Sequence, residues 1–118
     1  MKAWTLLLTL WPLSVAAQDT PDWWLGVWAW DPAFCVNKDR VGAATPAPIT
    51  ITETEVLGYE NSCAITAIDD INESTIYLTL TCQSEGSDYD DDRVIMRGAD
   101  GIWIWYGYDA PAHYTSCE

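Results

Sequence analysis

The stretch Thr75-Ile76-Tyr77-Leu78-Thr79-Leu80-Thr81-Cys82 decides the fold class. Ile76, Leu78 and Leu80 recur at a period of two, with Thr75, Tyr77, Thr79 and Thr81 between them. Successive side chains of an extended chain point to opposite faces, so this alternation describes a strand with one buried and one solvent-facing side. Its β-branched and aromatic residues suit a pleated, half-buried surface.

The same period returns in shorter runs on both sides. Strands are expected over residues 24–30, 48–52, 55–60, 63–68, 93–97 and 102–108, and the tail 109–118 can add a short eighth. Asp31-Pro32 stops the first strand, and the Ala-, Thr-, Gly- and Pro-rich segment 36–48 reads as an irregular loop. Turns are expected at Asp69–Glu73 and at Ala99-Asp100-Gly101, and an acidic loop over Ser84–Asp92. No window carries apolar residues at helical spacing. The expected architecture is all-β: a small antiparallel up-and-down barrel or a sandwich of seven to eight short strands.

Composition narrows the function classes. The chain has 118 residues, with 18 acidic side chains against five lysines and arginines and a formal charge of −13. Nothing in that balance neutralises a run of phosphates, so nucleic acid is not an expected partner. An anionic membrane surface is excluded on the same ground. Hydrophobic residues at 49% mark a chain able to form a core rather than a disordered tail.

The N-terminus reads as an export signal. Lys2 is followed by an apolar run to Leu10, a Trp11-Pro12 break, and Val15, Ala16 and Ala17 in the small-x-small pattern of signal peptidase. Cleavage is expected before Gln18, leaving residues 18–118 as a single β domain, monomeric, not membrane-bound, and periplasmic or secreted. The run is shorter than the roughly 20 residues a transmembrane helix needs.

Cys35, Cys63, Cys82 and Cys117 are even in number, contain no CxxC pair and follow an export signal, so two disulfides are expected rather than a zinc site. Three pairings are possible. An up-and-down meander places all four near one end, which favours Cys35–Cys63 with Cys82–Cys117. Cys63–Cys82, across one hairpin, is the main rival.

Tryptophan supplies the candidate site. Trp24, Trp28 and Trp30 fall on one face of the first expected strand, and Trp103 and Trp105 on one face of the seventh. Such stripes either fill a barrel or form a stacking platform for a small ligand or protein partner. Trp24, Trp30, Trp103 and Trp105 are the residues assigned to that platform.

Other chemistry is sparse. Asp88, Asp90 and Asp92 open like a calcium loop, but Arg93 replaces the turn glycine and Ala99 stands where a closing glutamate belongs. A solvated acidic loop is the simpler reading, with weak calcium binding as the alternative. His113 is the one histidine, with no GxSxG serine and no phosphate-binding glycine loop in the chain. No catalytic residue, metal ligand or cofactor is assigned, and the protein is expected to bind rather than catalyse.

Three resemblances accompany this reading. Gly26-Val27-Trp28 resembles the GxW of the first strand of lipocalins and other calycins, which implies a barrel with this ring closing one end. In that family a basic residue from a late strand stacks on the tryptophan; Arg93 or Arg97 is implied here, although neither lies on the final strand. The succession Trp24–Trp28, Asp31–Cys35, Ile49–Thr52, Gly58–Cys63, Leu78–Cys82 and Tyr114–Cys117 is similar to short exported four-cysteine bacterial proteins of unknown function. Ser84–Tyr89 resembles the SGxxY signature of a family of small exported lysozyme inhibitors, with Glu85 where a serine is expected. That last likeness, with the acidic charge, implies an inhibitor of a basic hydrolase as an alternative function.

Overall fold

The computed structural model describes residues 22–118; the expected signal segment and its cleavage point lie outside them. The described residues form eight antiparallel strands: β1 Gly26–Ala29, β2 Ile49–Ile51, β3 Glu55–Gly58, β4 Asn61–Asn72, β5 Thr75–Ser84, β6 Ser87–Arg97, β7 Ile102–Trp105 and β8 Ala112–Ser116. Each pairs with its neighbours in sequence, and β8 pairs with β1 to close a barrel. Of barrel and sandwich, the chain forms the barrel. No helix among the described residues is long and apolar enough to cross a membrane.

The alternation on β5 builds the core. Ile76, Leu78, Leu80 and Cys82 point inward and are fully buried. They meet Ile95 of β6, Ile102 and Ile104 of β7, Ile51 of β2, Val56 of β3 and Cys63 of β4, with Trp24 and Trp28 filling the remaining interior. Burial of one such aliphatic side chain contributes about 1.5–3 kcal/mol, and a domain this small has few to spare.

Two local expectations are corrected, and one short element is added. The segment expected as an acidic loop over Ser84–Asp92 is the tip and one arm of a hairpin, with Ser84 paired to Ser87 and Cys82 to Tyr89. Glu85 (φ 50°) and Gly86 (φ 81°) form its two-residue turn. Positive φ at both positions matches the twist of the flanking strands, and a glycine second makes it accessible. The turn expected at Asp69–Glu73 is shorter, because β4 continues to Asn72, whose side chain accepts the Ser74 amide at 2.8 Å. After β1, Pro32–Asn37 is a 3₁₀ helix, begun by Pro32 and by the Asp31 carboxylate accepting the Ala33 amide at 3.0 Å.

The favoured disulfide pairing is also corrected: the bonds are Cys35–Cys117 and Cys63–Cys82. Cys63 and Cys82 are directly opposed on β4 and β5, both pointing inward, with Cα atoms 3.9 Å apart. Cys117 follows β8, and the Cys117 amide donates to the Val27 carbonyl of β1 at 2.9 Å. Barrel closure therefore delivers Cys117 to the 3₁₀ helix that carries Cys35. The end of a meander that each cysteine occupies does not by itself reveal that β8–β1 contact. Two such bonds indicate an oxidising extracellular or periplasmic setting.

Cys35–Cys117 spans 82 residues and Cys63–Cys82 spans 19. Loop-closure entropy assigns the longer bond about 4.5 kcal/mol and the shorter about 3.2 kcal/mol. Replacing Cys35 and Cys117 together by serine is expected to lower the urea midpoint by several kcal/mol of equivalent stability. Peptide mapping of the oxidised protein is expected to recover Cys35 linked to Cys117; a Cys35–Cys63 peptide contradicts the topology.

Candidate functional site

The strand parity that sends Ile102 and Ile104 inward sends Trp103 and Trp105 outward, where they are 42% and 39% exposed. Cross-strand register sets what stands beside them. Val94 of β6 is opposite Trp105, Met96 is opposite Trp103, and Tyr77 of β5 is opposite Val94. His113 of β8 is opposite Trp103, and the two rings are tilted at 54° with centroids 4.9 Å apart. The outer face of β5 to β8 thus carries one continuous strip of aromatic and apolar side chains, cross-strand neighbours at the spacing where such pairs interact.

Acidic groups border the strip. Asp100 Oδ1 lies 3.3 Å from His113 Nε2. The Tyr77 hydroxyl bonds the Asp92 carboxylate, which, with burial and the negative charges of Asp92 and Asp69, raises it above a phenol's ordinary value. The Trp105 indole donates to the Asp109 carbonyl at 3.0 Å, which fixes the ring's orientation. Where β7 leaves the sheet, Tyr77, Asp92, Val94, Trp105 and Gly107 line a shallow groove of about 240 Å³.

The four tryptophans assigned to a platform do not share a face. Trp103 and Trp105 stand together on β7. Trp24 precedes β1 and is fully buried, its carbonyl accepting the Trp28 indole N–H at 3.1 Å. Trp30 is 64% exposed but lies past the end of β1, across β8 from β7, with its ring centroid 6.4 Å from that of Phe34. The period-two reading failed there because β1 is only four residues long, so neither Trp24 nor Trp30 is held in its alternation. Tyr77, Asp92, Val94 and Met96 were missed. Reading 84–92 as a loop hid the pattern Asp88-Asp90-Asp92-Val94-Met96, which as a strand places all five side chains on one face.

A second polar constellation lies inside, at the barrel mouth. Arg93 is opposite Leu78 and points inward; its Nε is 3.5 Å from Asp91 Oδ2, and its guanidinium lies over the Tyr106 ring, 5.0 Å from the centroid. The hydroxyls of Tyr106 and Tyr114 are 2.6 Å apart. Asn61 donates to the Tyr89 hydroxyl at 2.7 Å. Arg93 Nε has no hydrogen-bond partner, so the ion pair with Asp91 and the Tyr106 ring face offset its charge, in surroundings where an unpaired charge is costly. Among the described residues no three His, Cys, Asp or Glu side chains converge as a metal site; Asp88, Asp90 and Asp92 stand in a row along β6.

Burial first, and then the bond to Tyr114, pushes the Tyr106 hydroxyl far above its ordinary value of 10.0. The neutral phenol therefore belongs to the folded state. Its contribution is complete below the unfolded value and is lost as pH rises beyond it. Between about pH 9 and about pH 11 the native protein is expected to lose more stability than Tyr106→Phe, read from urea midpoints; equal losses contradict this burial.

Comparison of the chain with protein-family models, with curated proteins and with solved structures gives no match.

Proposed function

We propose that this barrel is an exported, non-catalytic binding protein that recognises a basic protein partner through the outer face of β5 to β8. The observation that carries the reading is the strip formed by Trp103, Trp105, Val94, Met96 and Tyr77. Tryptophan, tyrosine and methionine are the residue types that concentrate binding energy at protein interfaces. Here they are held on rigid strands, so little conformational entropy is lost on contact. The formal charge of −13 favours a basic partner, because complementary potentials raise the encounter rate and select against acidic competitors. The filled interior supports a binding role rather than a catalytic one.

Replacing Trp103 and Trp105 singly by alanine is expected to change stability by about 1 kcal/mol or less, since neither ring fills the core. Replacing both is expected to keep the near-ultraviolet circular dichroism of a folded chain and to weaken retention of a basic protein from the exported fraction at least about tenfold. Unfolding of either single variant, or undiminished retention by the folded double variant, overturns the reading.

One observation favours inhibition of a basic hydrolase as a second reading. Ser84, Glu85, Gly86 and Ser87 form the exposed tip of the hairpin between β5 and β6, a shape suited to entering a cleft. A molar excess of the protein is then expected to depress lysozyme activity, with the loss reduced by added salt; full activity at excess removes this reading.

A further inference from the structure

β6 has a partner on only part of one side. β5 pairs with it along its whole length, from Thr75 opposite Met96 to Ser84 opposite Ser87. β7 covers only Val94–Arg97 on the other side. Among the described residues no strand pairs with that side over 87–93.

The direction of the free backbone groups follows from one bond. The Arg97 amide donates to the Ser74 carbonyl, on the β5 side, at 2.8 Å. Amides alternate along a strand, so the odd-numbered residues of β6 face β5 and the even-numbered ones face β7 or the open edge. The Gly98 amide agrees, donating to Gly101 across the β6–β7 turn at 2.9 Å. Asp88, Asp90 and Asp92 therefore turn their backbone N–H and C=O groups to the open edge while their carboxylates stand on the outer face. The Asp92 amide is met by the adjacent Asp91 carboxylate at 2.9 Å, the kind of local bond an uncovered amide makes.

We propose that this edge, from Ser87 to Arg93, accepts an extended basic segment of a partner protein as an added strand. The proposal rests on the basic-partner reading and specifies its mode. Backbone pairing would supply affinity and alternate side chains specificity. Residues of the added strand opposite Asp88, Asp90 and Asp92 lie on the same outer face as those carboxylates, so lysine or arginine at every second position complements the row. The groove at Tyr77, Asp92 and Trp105 adjoins the inner end of the edge and offers one basic side chain an aromatic wall and a carboxylate. β4 also extends beyond β3, but register breaks between Ile65 and Ala67 and between Asp70 and Asn72 interrupt the repeat an added strand needs. β6 has none.

The test uses the oxidised protein and a synthetic peptide, Lys-Val-Lys-Thr-Lys-Val-Lys, against one of the same composition with its lysines in a block. The alternating peptide is expected to bind about tenfold more tightly. Asp90→Pro removes an edge-facing amide and leaves the β5 ladder intact, whereas Asp90→Asn removes only the charge. Strand addition predicts about a tenfold loss for Asp90→Pro and about a threefold loss for Asp90→Asn. Two peptides N-methylated at the odd or the even positions are expected to differ, one of them losing binding. Equal losses in the two Asp90 variants, equal binding by the two methylated peptides, or no preference for the alternating peptide each overturn the proposal. If Asp90→Pro does not fold, the methylated pair decides. Trp105→Ala runs alongside: loss of protein-partner retention there with intact edge behaviour in Asp90→Pro rejects strand addition and leaves the aromatic face standing, whereas the reverse rejects the face.

Discussion

The contact between the first and last strands is the constraint on which the rest of this protein depends. β1 and β8 share only two register pairs, Trp28 with Ser116 and Ala29 with Thr115. Without that seam the chain is an open meander whose inward side chains face water. With it, the faces of all eight strands meet around one interior, and edges at β1 and β8 that would template aggregation disappear. Cys35–Cys117 holds the same seam covalently, and Thr115 adds a side-chain bond to the Ala29 carbonyl at 3.3 Å. A seam this short needs such support, because each backbone hydrogen bond adds only about 1 kcal/mol net.

Closure also explains why the outer face is shaped as it is. Five strands have three to five residues, while β4, β5 and β6 have 12, 10 and 11. Short strands cannot cover long ones end to end, and the stagger of a closed barrel places the uncovered lengths at opposite ends of β4 and β6. On β6 the uncovered length begins where β7 departs, next to Trp105. The aromatic strip, the groove and the open edge are thus one consequence of unequal strand lengths.

Much of the fold was legible because β5 is long and its alternation is unambiguous. Seven strands, the hairpin at Ala99-Asp100-Gly101 and the all-β class follow from period-two patterning. The acidic segment was not legible in the same way. Five polar residues from Asp88 to Asp92 look like a loop on composition, yet Tyr89, Asp91 and Arg93 alternate with the outward carboxylates and point into the mouth, where Arg93 meets Tyr106. A strand that turns charged residues inward defeats a hydrophobicity pattern. The rival Cys63–Cys82 lies across one hairpin and was legible, but Cys35–Cys117 was not, because local spacing cannot reveal a long-range seam. For the tryptophans, residue type suggested both core and platform, and strand boundaries divided them, Trp24 and Trp28 inside and Trp103 and Trp105 outside.

The acidic row on β6 has two effects that share one cause. An open strand edge invites the same edge of another copy, and charged residues are a common defence against that pairing. Two β6 edges brought together would set Asp88, Asp90 and Asp92 of each against those of the other, like charges at cross-strand distance. The row therefore opposes self-association most strongly where the backbone is most available. The same potential that repels an identical edge attracts a basic one, so a feature that keeps copies apart also selects what can approach. Negative charge spread evenly over the barrel would repel copies in general without this selectivity. It is the coincidence of charge with unpaired backbone and an adjoining Trp105 that gives the β6 side of the barrel a specific chemistry.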